Sequence, residues 1–134
     1  MKNKNRNLIL LVDDDELIHF YNTRIFSLSG FNDEIVSVES GLESIEKLKH
    51  LDLQRYGKIL ILLDLNMPGM DGWSFLEQFK LLERDIRTKC RICILTTSDD
   101  PMDIEKSNEF SIVDMFMSKP LTKNQAASLV NLYF

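Results

Sequence analysis

The chain has 134 residues, of which 44% are hydrophobic and 28% are charged, and its formal net charge is −5. This length suits one globular domain that builds its core without metal ions or disulfides, and the acidic balance argues against direct binding to nucleic acid. No apolar run approaches the ~20 residues that a transmembrane helix needs. A signal peptide's apolar stretch and cleavage site are also missing, so we expect a cytoplasmic protein without membrane contact.

Apolar runs of strand length recur along the chain. After seven mostly polar or basic residues, which we predict to be a flexible tail (1–7) before one domain (8–134), five such runs follow: Leu8–Val12, Glu34–Val38, Ile59–Leu63, Ile92–Leu95 and Ile112–Met117. Three of the five are almost unbroken apolar residues. This is typical of strands in a parallel sheet that helices cover on both faces.

A helical pattern follows each of the first two strands. The first has a stripe of apolar residues that stops at Gly30: Leu17, Ile18, Tyr21, Ile25 and Leu28. The second begins at Ser40, which is a candidate N-cap because Glu43 lies three residues later in a capping-box pattern. Its apolar residues continue to Leu53 and predict an end near Gly57.

Three more helical patterns begin after Gly72, after Pro101 and near Thr122, the first of them reaching Leu82 or Ile86. Strand and helix therefore alternate five times. This order predicts an α/β fold, a flavodoxin-like (βα)5 doubly wound five-stranded parallel sheet with strand order 2-1-3-4-5. The chain ends with the last helix, so we expect no output domain.

Cys90 and Cys93 have the spacing of a redox or zinc motif. A zinc site needs a second pair of ligands, and a redox pair usually opens a helix, whereas these cysteines lie in a predicted strand. Residues three apart on a strand point to opposite faces of the sheet. We therefore expect both thiols to be structural.

Chemically active residues follow the predicted strands. Strand 1 is followed by Asp13-Asp14-Asp15-Glu16, strand 3 by Asp64, strand 4 by Thr96-Thr97-Ser98, and strand 5 by Ser118-Lys119-Pro120. In this fold the ligand crevice lies at the carboxyl ends of the strands, at the switch point between strands 1 and 3. We therefore expect these side chains to share one crevice.

Carboxylates that share a crevice repel one another, and a hard divalent cation relieves that repulsion. Oxygen ligands without histidine or cysteine favour Mg²⁺, Mn²⁺ or Ca²⁺. A lysine beside carboxylates and a metal ion suits a phosphoryl group, and carboxylates form covalent phosphate intermediates. The residues therefore predict phosphoryl transfer onto an aspartate.

Four segments resemble the marks of response-regulator receiver domains: Leu11–Asp15, Leu63–Gly72, Leu95–Ser98 and Lys119-Pro120. The stretch D-L-N-M-P-G-M-D-G within the second segment is the most specific of these. The resemblance covers the chain after residue 7. Without an output domain, the chain is similar to stand-alone receivers of the chemotaxis type. It implies a cis peptide bond between Lys119 and Pro120.

The resemblance also implies the roles of the site residues. Asp64 is the phosphoacceptor, and Lys119 pairs with Asp64 and then with the phosphate. Asp14 and Asp64 bind Mg²⁺ (Mn²⁺ is an alternative) together with the backbone carbonyl of Asn66. Asp13 acts on the same ion largely through a coordinated water.

Further residues are implied as switch and tuning positions. Thr96 is the switch hydroxyl, in preference to the adjacent Thr97, because the segment that follows then has the family's usual offset. Phe116 is the switch aromatic. Asn66 and Ser98 tune the slow self-dephosphorylation of the family.

The resemblance implies a signalling switch rather than an enzyme with external substrates. Its phosphodonor is a sensor histidine kinase or a histidine phosphotransfer protein, and its output is an unknown protein that binds the face of the fourth helix, the fifth strand and the fifth helix. We expect a monomer, with dimerisation after phosphorylation as an alternative.

Two other functions are weighed against the switch. Asp13-Asp14-Asp15 also matches the D-x-D motif of haloacid-dehalogenase-type phosphatases, but the last 14 residues lack the acidic motif that those enzymes need. A binding module with an inactive site is the other alternative, although no expected acid or lysine is missing. His19 lies on the first helix near the acids, and we expect a surface histidine, with an influence on the site as the alternative.

Overall fold

The computed structural model describes residues 6–134 of the protein. Within that range the chain forms five strands, β1 (Arg6–Val12), β2 (Glu34–Val38), β3 (Tyr56–Leu63), β4 (Cys90–Thr96) and β5 (Val113–Ser118). They alternate with six helices, α1 (Glu16–Leu28), α2 (Gly41–Lys49), α3 (Gly72–Phe79), α4 (Arg84–Arg87), α5 (Pro101–Ser107) and α6 (Lys123–Tyr133). All five predicted strands are present.

The strands form one parallel sheet in the order β2-β1-β3-β4-β5, which confirms the predicted topology. The central strands β1 and β3 are covered on both faces, which explains their almost unbroken apolar sequences. Val12 of β1 pairs with Leu63 of β3. The residues that follow these two strands therefore begin at the same level of the sheet.

Two hydrophobic cores lie on opposite faces of the sheet. One contains Phe75 and Phe79 of α3 and the inner residues of α2, and the other contains Phe26 of α1 and the inner residues of α6. Cys90 belongs to the first core and Cys93 to the second. This confirms that the two thiols point to opposite faces.

The inner face of α1 differs from the predicted apolar stripe. Leu17 is 79% exposed and Leu28 is 55% exposed, whereas the buried residues are His19, Asn22 and Phe26. The prediction of a surface histidine at position 19 is therefore wrong. The helix is rotated so that the large Phe26 enters the core, and residues one and two turns earlier on that face are buried with it.

Two helices are shorter than predicted. α2 ends at Lys49 rather than near Gly57, because Leu51 donates its amide to Leu48 in a tight turn that ends the helix. A tight turn also divides the predicted third helix into α3 and α4. The buried side chain of Leu82 reaches the core from that turn, and Ile86 reaches it from α4.

Among residues 6–134, no helix is long and apolar enough to cross a membrane.

The sheet begins two residues earlier than the predicted domain boundary at residue 8. Arg6 and Asn7 belong to β1, where Asp33 accepts hydrogen bonds from Arg6 Nε (2.9 Å) and the Asn7 amide (2.7 Å). These bonds fix the start of the strand, so the tail prediction is wrong for these two residues. The rest of the predicted tail, residues 1–5, lies outside the described residues.

Candidate functional site

Acidic residues lie where β1 and β3 end, at the switch point of the strand order. Asp13 follows β1 and donates its amide to the carbonyl of Val38 (3.2 Å). Asp64 follows β3 and donates its amide to the carbonyl of Val12 (2.9 Å). The backbone at both residues therefore continues the hydrogen bonding of the sheet, which fixes the backbone positions from which the two side chains extend.

Three carboxylates meet at this edge. One oxygen from each of Asp13, Asp14 and Asp64 lies within 4.8 Å of the others. Asp13 and Asp64 are each only 5% exposed, whereas Asp14 is open to solvent. The sequence prediction that strands 1 and 3 bring their acids together is confirmed.

Lys119 reaches this acidic cluster from the end of β5. Its ammonium lies 2.5 Å from Asp13 Oδ2 and 3.4 Å from Asp64 Oδ2. The backbone amide of Lys119 donates to the carbonyl of Thr96 (2.8 Å), which holds the two strand ends together. The Lys119–Pro120 peptide bond is cis, as predicted.

Burial and charge shift the pKa values of two groups in the cluster. The pKa of Asp64 is raised, chiefly because burial disfavours the carboxylate, and Asp13 adds to this effect while Lys119 opposes it. The pKa of Lys119 is also raised. Burial alone would lower it, but the hydrogen bond to Asp13 and the charges of both acids outweigh that effect.

The loop after β3 lies very close to the acidic cluster. A Cβ atom on Gly72 would come within 2.7 Å of the Asp64 carbonyl oxygen, so only glycine fits where α3 begins. Asn66 is exposed, and its backbone amide donates a hydrogen bond to Asp64 Oδ1 (3.3 Å). The loop that the motif predicts is thus folded back over the end of β3.

The hydroxyl residues after β4 differ in their surroundings. Thr96 is fully buried, and its Oγ1 accepts the amide of Ser98 (3.3 Å), whereas Thr97 is exposed. Ser98 donates its hydroxyl to Asp103 Oδ2 of α5 (2.5 Å), a contact that the sequence analysis did not anticipate. Phe116 of β5 is half-buried and packs against the core on the α2 and α3 face.

His19 contacts the acidic cluster, although the sequence favours a surface position for it over the alternative of an influence on the site. The side chain is 7% exposed, and Nε2 lies 2.6 Å from the backbone carbonyl oxygen of Asp13. Its spacing from Phe26, which is two turns further along α1, was the available signal.

The arrangement suits a hard divalent cation. Carboxylate oxygens from three residues share one small region, two of the three acids are buried, and the ammonium of Lys119 faces them. Magnesium and calcium prefer oxygen ligands of this type. The residues present therefore fit the ion that the sequence predicts, and Asp13, Asp14 and Asp64 would hold it.

Comparison with known proteins gives a consistent result. The family model described as the response regulator receiver domain matches residues 9–131. The chain is 26% identical over 125 residues to sporulation initiation phosphotransferase F of Bacillus subtilis, and the match covers 93% of this chain and 91% of that protein.

Solved structures of similar chains share the fold. A two-component response regulator from Cytophaga hutchinsonii is 37% identical, with a TM-score of 0.82 and coverage of 96% of this chain and 97% of the other. The receiver domain of a sensor histidine kinase from Pseudomonas aeruginosa PAO1 has a magnesium ion coordinated in its active-site cleft. It is 20% identical, with a TM-score of 0.74 and coverage of 97% and 98%, so that likeness concerns the fold alone.

Proposed function

The chain belongs to the response regulator receiver domain family, and from this premise we propose that it is a phosphorylation-dependent switch of a two-component system, with Asp64 as its phosphoacceptor. The observation that carries the proposal is the position of Asp64. Its carboxylate lies directly after β3, 3.4 Å from the ammonium of Lys119 and within 4.8 Å of carboxylate oxygens of Asp13 and Asp14. A nucleophile and the charges that stabilise a phosphoryl group therefore occupy one crevice.

The proposed reaction transfers a phosphoryl group from a phosphohistidine. The Asp64 carboxylate attacks the phosphorus, the bond from phosphorus to the imidazole nitrogen breaks, and that nitrogen leaves with the bonding electrons. An acyl phosphate then stands on Asp64. Lys119, already 3.4 Å from the Asp64 carboxylate, is placed to pair with the new phosphoryl oxygens.

The divalent cation is proposed to bind Asp14, Asp64 and the backbone carbonyl of Asn66, with Asp13 acting largely through a water. When bound, Mg²⁺, or Mn²⁺ in its place, neutralises the negative charge of the phosphoryl oxygens. The folded-back loop after β3 keeps Asn66 beside Asp64, since its amide already donates to that carboxylate.

Phosphorylation is proposed to act through Thr96 and Phe116. Thr96 is the residue whose hydroxyl moves onto the phosphoryl group, and Phe116 is the aromatic that responds on β5. Together they change the surface of α5, β5 and α6, where a protein target binds. Asn66 and Ser98 are proposed to tune the slow self-dephosphorylation.

We propose a sensor histidine kinase or a histidine phosphotransfer protein as the phosphodonor. The protein catalyses only its own phosphorylation and dephosphorylation, since the phosphorylated side chain is its own. A monomeric state and a cytoplasmic location remain predictions from the sequence.

The test is direct phosphorylation by acetyl phosphate or phosphoramidate in the presence of Mg²⁺. We expect intact-mass spectrometry to show an addition of about 80 Da, the mass of one phosphoryl group. Asp64→Ala removes the nucleophile and should lose the adduct. Asp85→Ala is the matched control, because Asp85 is an exposed carboxylate outside the crevice.

Two outcomes would contradict the proposal. One is the absence of an adduct on the unchanged protein with Mg²⁺, and the other is an adduct that persists on Asp64→Ala. Rapid multiple turnover of phosphate esters would instead support the phosphatase alternative.

A further inference from the structure

His19 makes a polar contact with the backbone of the acidic cluster. Its imidazole is buried in α1, and Nε2 lies 2.6 Å from the carbonyl oxygen of Asp13. A carbonyl only accepts hydrogen bonds, so Nε2 is the donor. The other ring nitrogen, Nδ1, is buried and has no hydrogen-bond partner among residues 6–134.

The Asp13 carbonyl lies just beyond the paired part of β1. The last pairing of β1 with β3 joins Val12 to Leu63, and the Val12 carbonyl accepts the amide of Asp64. The carbonyl of Asp13, one residue later, is buried where it meets His19. A buried carbonyl without a donor is unfavourable, so the imidazole supplies a bond at the point where the sheet stops.

This bond acts on Asp13 and Asp14, the two acids of the cluster that follow β1. The Asp13 carbonyl and the Asp14 amide belong to one rigid peptide plane. Fixing the oxygen therefore fixes the plane, and with it the position of the Asp14 Cα from which the side chain leaves the chain. Asp14 is exposed, so packing around its side chain does little to orient it.

The rest of the turn is held by hydrogen bonds that do not involve this carbonyl. Asp15 donates its amide to Asp13 Oδ1 (3.0 Å), and Leu17 donates its amide to Asp15 Oδ1 (2.9 Å). These bonds form the start of α1. The contact from His19 adds a bond from the second turn of the helix back to the backbone between the two acids.

We infer that His19 is a positioning residue for the divalent-cation site, because it holds the Asp13–Asp14 peptide so that both carboxylates face Asp64. The inference rests on the proposed function, since the cation is the one that phosphorylation needs. Groups that orient metal ligands typically change metal affinity by about 10- to 100-fold when they are removed. The same range is expected here.

The experiment compares three substitutions at this position by Mg²⁺ titration, followed through backbone amide resonances. His19→Leu and His19→Met remove the donor, and we expect each to weaken Mg²⁺ binding by roughly 10-fold. His19→Gln keeps a donor on a side chain of similar reach and should bind Mg²⁺ within about 2-fold of the unchanged protein, well inside the 10-fold loss. Phosphorylation by acetyl phosphate should recover in the donor-free variants at saturating Mg²⁺.

Phe26→Leu is the control for a general loss of stability in α1. Phe26 is fully buried on the same face of the helix, but it belongs to the hydrophobic core between the sheet and the helices α1 and α6 and not to the crevice. It should lower stability and leave Mg²⁺ affinity unchanged. Equal loss of Mg²⁺ affinity in Phe26→Leu, or none in the donor-free variants, would overturn the inference.

A measurement on the unchanged protein covers the case in which the donor-free variants do not fold. Nitrogen-15 resonances of the imidazole should show that Nε2 carries a hydrogen in the folded protein; a ring with the hydrogen on Nδ1 alone would overturn the inference. Absence of Mg²⁺ binding to the unchanged protein would contradict both the proposed function and the inference. Normal Mg²⁺ binding by the unchanged protein, with the same affinity in the donor-free His19 variants, would contradict the inference alone.

Discussion

In the described part of the chain, two acids pair with two arginines at the amino end of the sheet, whereas a cluster of three acids pairs with one lysine at the carboxyl end. Asp33 bonds to Arg6 (2.9 Å), and Glu34 bonds to Arg55 (2.9 Å) and to the hydroxyl of Tyr56 (2.6 Å). These four charged groups balance. At the other end, Lys119 is the only cation among residues 6–134 that forms an ion pair with the cluster of Asp13, Asp14 and Asp64.

The pKa shifts of the two ends have opposite directions. The pKa of Asp33 is lowered, because its bonds from Asn7 and Arg6 outweigh the effect of burial. The pKa of Asp64 is raised by burial and by Asp13, despite Lys119. The ionised acid therefore stabilises the fold at one end and destabilises it at the other. An excess of buried negative charge is useful only where a cation or a phosphoryl group will be bound.

Removing the ammonium of Lys119 from the acidic cluster should give the largest effect. Lys119→Met takes a positive charge away from the three carboxylates and removes the charge that would stabilise the phosphoryl oxygens. We expect phosphorylation by acetyl phosphate to slow by about 100-fold or more, as for other lost electrostatic contacts. Lys58→Met, an exposed lysine near the amino end, is the control and should be phosphorylated normally. A normal rate in Lys119→Met would contradict the proposed role.

An Asp→Asn substitution should change the free energy of unfolding in opposite directions at the two ends. Asp64→Asn removes a carboxylate that burial disfavours, while Lys119 keeps Asp13 as its partner, so we expect stability to rise by about 1 kcal/mol. Asp33→Asn weakens the bonds to Arg6 and should lower stability by about 1 kcal/mol. Urea unfolding at pH 7 in a metal chelator measures both. Changes of the same sign would refute the contrast.

The effects of the two substitutions on stability should be lost at different pH values in acid. Because the pKa of Asp33 lies below its ordinary value, its contribution is present above that value and is lost as the pH falls through the lower pKa. The raised pKa of Asp64 means that the folded state takes up this proton first. We therefore expect the advantage of Asp64→Asn to disappear at a higher pH than the disadvantage of Asp33→Asn. Unfolding free energies of both variants across acid pH, without divalent ions, check this order.

Continuity of apolar sequence was enough to predict the sheet. The strands Leu8–Val12 and Ile59–Leu63 were found because a strand buried on both faces has little room for polar residues. The strand order followed from general rules for alternating strands and helices. The meeting of Asp13, Asp64 and Lys119 then followed, because parallel strands deliver their carboxyl ends to one edge.

Helix faces and ends were predicted less well. Leu17 and Leu28 have the spacing of an apolar stripe, yet they are exposed, and His19 is buried in their place. A stripe of apolar residues does not define the rotation of a helix when several faces are equally apolar. The end of α3 at Phe79 depends on a tight turn whose buried residue Leu82 has the same spacing as a continued helix.

The amino-acid sequence by itself determined which residues end the strands and hence which chemistry gathers at one edge, because that information is local and repeats with the strands. Only the tertiary structure decided that His19 supports the Asp13 carbonyl and that Asp103 accepts the hydroxyl of Ser98. The first contact depends on how α1 is rotated against the sheet, and the second on how α5 is placed after β4. Packing of the whole core sets both, and no short stretch of sequence records it.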